Sequence, residues 1–367
     1  MWHTCTGNGG GNWRLAAERV ALYDLTYEQL EELLAGWGEP RFRADQVWGW
    51  LYRSLAADFE AMTNLPRRLR ARLAAETDLA LLTPLAERQS PGGQTRKVLF
   101  RLRDGQTIES VLMGYRQRQT ACISTQVGCA LGCIFCATGQ GGLARNLSAG
   151  EIVAQVLHFA RESPISNVVL MGMGEPLANY AATRQAIATL TDKRGYNLGA
   201  RRITLSTVGL VPGIRQLAEE GLPINLAISL HAADDRLRSQ LVPVNRRYGL
   251  ADLLAAVRDY IARTGRRVTF EYALIAGVND TPEQARKLAG LLSGLLCHVN
   301  LIPLNPTPGS SLRPSPRARV DAFRDELAAR GIPVTVRLRR GIGIEAGCGQ
   351  LRRRQGDTTC NFVQKQV

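Results

Sequence analysis

Three cysteines, Cys129, Cys133 and Cys136, stand in a CxxxCxxC spacing within Gly128-Cys129-Ala130-Leu131-Gly132-Cys133-Ile134-Phe135-Cys136. Three thiolates this close can ligate three irons of a cubane 4Fe-4S cluster and leave the fourth iron open to a ligand. Zinc is the competing occupant; a structural zinc site wants four protein ligands, and no fourth Cys or His stands nearby in the sequence. Two more thiols could take part in chemistry: Cys122, seven residues before Cys129, and Cys348, between Gly347 and Gly349. Read alone, without other motifs, both are better taken as ordinary buried cysteines. The carboxylate candidates are Glu109, in an apolar stretch, and Glu175, in the Gly-Met-Gly-Glu-Pro run at 172–176. There the glycines permit close backbone approach, and a carboxylate can accept hydrogen bonds from an ammonium group. Cys5, Cys297, Cys360, His3, His158 and His298 join no such pattern.

These residues need a frame. From about Thr120 the chain repeats strand, loop and helix six times, with strands expected at TACIST, NVVLMG, RRITLST, INLAISL, VTFEYALI and HVNLIPL. Helix starts are marked by Ser148 with Glu151, Thr281 before Pro282, and Ser315 before Pro316. Six βα units imply an α/β fold with a parallel sheet, which curvature makes a partial (β/α)6 barrel with its chemistry on loops at the strands' C-terminal ends. The triad follows the first strand, Glu175 the second and Asn305 the sixth; Ser206 closes the third, and Ser229, Leu230 and His231 the fourth. Upstream, KVLFRL and TIESVLM flank Arg103-Asp104-Gly105-Gln106, a hairpin signal. Thr26 with Gln29 forms a capping-box pattern ahead of LTYEQLEELL, a second helix is expected over roughly Arg43 to Leu55, and a third follows Pro66. The expected domains are a flexible start at 1–12, a helical accessory domain at 13–85, a β-hairpin linker at 86–114, a core at 115–345 and a C-terminal segment at 346–367.

The 46 Lys and Arg against 32 Asp and Glu give a net charge of +14 over 367 residues, which points toward a polyanion such as nucleic acid. GC-rich genomes also produce basic, Arg-rich chains. The basic runs at 67–72, 337–340 and 352–354 could neutralise phosphates; each by itself is more often a solvated face, and their occurrence in both the helical module and the tail is what supports a shared binding surface. No apolar run approaches the ~20 residues of a membrane span, and the polar opening segment lacks a signal-peptide core. The chain is expected in the cytoplasm, off the membrane and monomeric, with its eight cysteines serving as ligands, catalysts or buried thiols rather than a disulfide framework.

With Phe135 just before the last cysteine, the triad loop resembles the radical S-adenosylmethionine (SAM) superfamily, in which the open iron chelates the amino and carboxylate groups of SAM. Ser-Thr-Gln-Val-Gly-Cys before the triad, Ala-Thr-Gly-Gln-Gly-Gly-Leu-Ala-Arg-Asn-Leu after it, the 172–176 run, Ser-Leu-His at 229–231 and Gly-Cys-Gly-Gln at 347–350 narrow this. Together, from about Leu25 to Leu351, they resemble the RlmN and Cfr family of RNA adenine methyltransferases. The resemblance implies a SAM pocket built from Gly174, Glu175, Ser206, Ser229, Leu230, His231 and Asn305. For His231 a supporting, hydrogen-bonded role is the alternative. It also implies that Cys348 is methylated by one SAM. A second SAM, cleaved to a 5′-deoxyadenosyl radical, then converts the S-methyl group into a methylene radical that adds to adenine carbon 2. Cys122 resolves the adduct, leaving a Cys122 to Cys348 disulfide, and Glu109 matches the position of a proton acceptor, a role that Cys122 could equally fill; for Glu109 a solvated strand glutamate is the alternative. Implied partners are 23S rRNA, a tRNA anticodon loop and a flavodoxin- or ferredoxin-type electron donor. The target base must leave its stack to reach such a site. A Cfr-like methylation at carbon 8 is the rival outcome, against which the resemblance of the Phe42–Tyr52 segment speaks. A non-catalytic zinc-bearing RNA-binding protein is the rival class.

Overall fold

The computed structural model describes residues 19–305 and 310–337. At the N-terminal end, β1 (Val20–Ala21) pairs in parallel with β2 (Thr77–Asp78) and closes a module of three helices: α1 (Tyr27–Gly36), α2 (Phe42–Tyr52) and α3 (Arg67–Glu76). The capping box at Thr26 is formed: its hydroxyl accepts from the Gln29 N–H at 3.2 Å, and the Gln29 side chain accepts from the Thr26 N–H at 2.9 Å. Trp48, Leu51, Tyr52 and Leu69 bury the inner faces of this module in the same apolar core as the rest of the chain. The contact with that core is close. The Gly150 N–H donates to Asp24 at 2.6 Å, and a Cβ on Gly150 would lie 2.7 Å from the Tyr23 backbone.

The helical stretch ends at Glu76, short of the expected 85, and the hairpin expected over 86–114 is larger than a linker. A strand β3 (Leu82–Gln89) joins β4 (Thr95–Leu102) and β5 (Thr107–Tyr115) in antiparallel order, and β5 then pairs with β6 (Arg118–Cys122). The sheet is therefore continuous from this arm into the parallel half. The latter runs through β9 (Asn167–Leu170), β10 (Ile203–Thr207), β11 (Asn225–Ser229), β12 (Val268–Leu274), β13 (Cys297–Pro303) and a seventh parallel strand, β14 (Val334–Val336). A short antiparallel ribbon, β7 (Gln126–Gly128) with β8 (Leu143–Asn146), brackets the cysteine loop and the one-turn helix α4 (Ala137–Gln140). Between strands lie α5 (Ala149–Ala160), α6 (Tyr180–Thr191), α7 (Val211–Glu220), α8 (Asp235–Leu241), α9 (Leu250–Thr264), α10 (Pro282–Leu292) and α11 (Arg317–Ala328).

Alternation sorts the two faces of the parallel strands. Val168, Leu170, Leu205, Leu226, Ile228, Phe270, Tyr272, Val299 and Leu301 are buried in the main core, whereas Asn167, Thr204, Asn225, Thr269, Glu271 and Asn300 line a cavity of about 1090 Å³. Thr95 of β4 and Thr335 of β14, from opposite arms of the sheet, line that same cavity, so the sheet curls into a partial barrel. One start signal differs. α11 begins at Arg317 with Pro316 as its cap and without a side-chain cap bond, and the Ser315 hydroxyl is buried with no partner among the described residues. The proline ring fixes the helix entry by itself, so the hydroxyl is not needed. Ser148 and Thr281 cap as expected. No helix of the described residues is long and apolar enough to cross a membrane.

Candidate active site

The cysteine loop leaves β7 through Gly128, whose φ of +84° and whose contact with the Gly142 carbonyl exclude any side chain. The Cys129 N–H donates to that carbonyl at 2.8 Å, the Cys136 N–H to Cys133 at 3.1 Å, and the Ile134 N–H to Leu241 at 3.2 Å. Cys133 is 7% exposed and packs among Ala232, Leu237, Leu241, Val242, Ile275 and Leu304, with Phe135 and Cys136 against the same cluster. Burial pushes the Cys129 thiol up to about 11, and burial followed by the neighbouring Cys136 and Cys129 pushes Cys133 up to about 12. These sulfurs are protonated at neutral pH until a metal displaces the protons. Among the described residues no three potential ligands are already gathered tightly enough to hold a metal ion. The fit to a cluster therefore rests on the donor set: three soft thiols on one loop, all unbridged, match cluster irons and fall one short of a closed zinc site.

The second-strand loop is zipped to the segment leading into the triad. The Gly172 N–H donates to Ile123 at 3.0 Å, Thr125 to Met173 at 2.8 Å, and the Glu175 N–H to the Gln126 side chain at 2.8 Å. Gly174 has a φ of +100°, and a Cβ there would lie 2.6 Å from the Gln126 side chain. Glu175 is 3% exposed; its carboxylate accepts from the Leu177 N–H at 3.0 Å and the Val208 N–H at 2.9 Å. Burial nevertheless raises it to about 7, so a cation beside it would be favoured as a partner.

Ser206 and Ser229 face each other at 3.5 Å between adjacent strands. Leu230 is fully buried, and its N–H donates to Glu271 at 3.0 Å. His231 has a φ of +62°, accepts at Nδ1 from the Ala273 N–H at 3.0 Å, and meets Phe135 edge-on at 4.7 Å. Burial lowers it to about 3, so the ring is neutral with its proton on Nε2. His231 thus braces the cysteine loop and still has Nε2 to offer.

Cys122 and Asn305 line the cavity, while the triad, Glu175 and His231 stand on the loops beyond the strands' C-terminal ends. Val111 pairs with Lys97 on one side and Cys122 on the other, so these three form one row across β4, β5 and β6. Glu109 lies one pleat along on the same face, 3% exposed, with its carboxylate 2.7 Å from the Lys97 ammonium. Sequence reasoning missed Lys97, whose only trace is a charge on one face of the KVLFRL strand. It also missed Gln155, which binds Ser124, Ser110 and the Glu151 carbonyl at 2.7–3.0 Å and so anchors the segment before the triad. Of the basic run on α3, Arg70 is paired with Glu60 and Arg72 with Glu76, leaving Arg67 and Arg68 exposed. Cys348, its glycines, Cys5, Cys360, His3 and the basic residues at 338–340 and 352–354 lie outside the described residues.

A curled parallel sheet with a three-cysteine loop after its first parallel strand defines a radical SAM enzyme, and residues 123–289 match the radical SAM superfamily model. Residues 20–79 match the ribosomal RNA large subunit methyltransferase N-terminal domain. The chain belongs to the RlmN family of RNA methyltransferases. It is 53% identical to the probable dual-specificity RNA methyltransferase RlmN of Chloroflexus aurantiacus over 96% of this chain and 97% of that one. It is 52% identical to dual-specificity RNA methyltransferase RlmN 1 of Myxococcus xanthus, covering 90% of this chain and 94% of that one. The crystal structure of a radical SAM methyltransferase from Sphaerobacter thermophilus superposes with a TM-score of 0.88 at 56% identity, over 90% of this chain and 98% of that chain.

Proposed function

We propose that this enzyme methylates carbon 2 of an adenine in 23S rRNA and in a tRNA anticodon loop, consuming two SAM per turnover. Cys129, Cys133 and Cys136 hold a 4Fe-4S cluster, and Gly174, Glu175, Ser206, Ser229, Leu230, His231 and Asn305 hold SAM. When bound, cluster and SAM supply one-electron chemistry that an ordinary methyl transfer cannot replace, because carbon 2 has no electron pair to attack with. The carboxylate of Glu175 receives the SAM ammonium. Cys348 carries the methyl group, Cys122 resolves the RNA adduct, and Glu109 takes the carbon 2 proton. The enzyme works as a cytoplasmic monomer with a flavodoxin- or ferredoxin-type electron donor.

The observation that carries this reading is the shared face of Cys122 and Glu109: both lie on the concave side of the sheet, in neighbouring rows. The cavity is large enough for SAM and a nucleotide, and Arg118, Arg266, Arg267 and Arg337 on its walls suit a phosphate backbone.

Nucleoside mass spectrometry of rRNA and tRNA treated with the reconstituted enzyme tests the reading. 2-Methyladenosine is expected in both; 8-methyladenosine in its place would refute the regiochemistry. Cys122→Ala is expected to leave enzyme covalently joined to RNA, seen as a shifted band that survives denaturation. Free RNA carrying normal methylation would assign resolution to another group.

A further inference from the structure

Helix α8 lies behind the cysteine loop: Leu241 accepts from Ile134 at 3.2 Å, and Leu237 and Leu241 pack on Cys133. From this helix Arg238 turns inward and is 0% exposed. Its guanidinium donates to the carbonyls of Leu230 at 3.0 Å, Val208 at 2.6 Å and Ser229 at 3.2 Å, and to the Asn245 side chain at 2.7 Å. All four acceptors, three backbone carbonyls and one side-chain amide oxygen, are neutral, and none of these bonds among the described residues is to a carboxylate. Asp235 is reached only through Asn245, whose amide donates to it at 2.8 Å. A buried charge lacking a counter-ion is costly, and a guanidinium does not escape by losing its proton at neutral pH. Leu237 and Leu241, one residue before and three residues after Arg238 on the same helix, share the apolar cluster of Cys133, which places the buried cation behind the cysteine loop.

We propose that Arg238 is a positioning residue for the metal centre, a fixed cation behind the Cys129–Cys136 loop that offsets the thiolates' negative charge and raises the cluster's reduction potential. The proposal rests on the triad being the cluster's ligands. Reduction moves one electron from a low-potential donor, dithionite in vitro, onto the cluster without a proton, so the reduced form carries one more negative charge. A cation fixed nearby stabilises that form more than the oxidised one. Its hydrogen bonds also tie down the chain ends of β10 and β11 where Ser229 and Leu230 lie, and it holds Val208, whose N–H binds Glu175.

The test is an anaerobic redox titration of the reconstituted full chain, followed by electron paramagnetic resonance, with iron and sulfide measured in parallel. Arg238→Met is expected to retain iron while its reduced-to-oxidised ratio at a fixed potential falls about tenfold, roughly 59 mV for a one-electron couple. Arg238→Lys keeps the charge and is expected near the wild-type potential. Asp235→Asn removes the opposing negative charge with little change of shape and is expected to shift the potential upward. An Arg238→Met enzyme with full iron and an unchanged potential overturns the proposal. If that variant does not fold, an unmoved potential in Asp235→Asn overturns it instead. Wild-type protein that retains no iron and sulfide overturns the cluster reading itself, a result distinct from either.

Discussion

Cys133→Ala is expected to lose iron and sulfide on reconstitution and, with them, all formation of 5′-deoxyadenosine and all RNA methylation, down to the level of a no-enzyme control. The substitution removes one sulfur from an apolar pocket lined by Leu237, Leu241, Val242 and Leu304. Such a small truncation costs about 1 kcal/mol of stability, so the fold survives and the loss belongs to the ligand. Far-UV circular dichroism and a urea melt establish that the variant is folded; iron analysis and chromatography of SAM products read the effect. Residual deoxyadenosine above background would remove Cys133 from the ligand set.

Lys97→Met is expected to destabilise the chain by about 3–5 kcal/mol, the range for stripping one partner from a buried ion pair. Lys97 is 0% and the Glu109 side chain 2% exposed, so the carboxylate left behind is sheltered from water and has lost its adjacent cation. Glu109→Gln combined with Lys97→Met should recover much of that loss, since neither buried charge then remains. The double variant also separates the pair's stabilising part from the role proposed for Glu109 in removing the proton. Urea unfolding midpoints of the two single variants and the double variant provide the comparison. A loss below about 1 kcal/mol in Lys97→Met would mean that the pair is worth no more than a surface bridge.

The contrast between these sites explains what was readable in the sequence. The triad spans eight residues of one loop, so its spacing alone limits what it can bind, and the six parallel strands follow from a local alternation of turns, apolar runs and helix caps. The Glu109–Lys97 pair depends on the register of β4 against β5, and the facing of Cys122 depends on β5 against β6; a shift of one residue would send these side chains to opposite faces. Arg238, in a short helix amid Asp and Arg residues, reads as a solvated arginine, and only the packing of α8 against the β10 and β11 ends reveals it as buried. The antiparallel arm before β6 depends on long-range pairing in the same way. LTPLAERQ has little strand alternation, and β3 exists because β4 supplies its hydrogen-bonding edge.

The amino-acid sequence by itself determined the class of chemistry, because the motifs that mark the radical SAM superfamily are short runs of neighbouring residues. It determined the parallel core for the same reason. Tertiary structure alone decided which charges are buried, which carboxylates are already paired, and that Cys122 and Glu109 share one concave wall. Those properties arise from contacts between strands and helices distant in the chain, where burial and register, rather than residue type, set the energy of a charge.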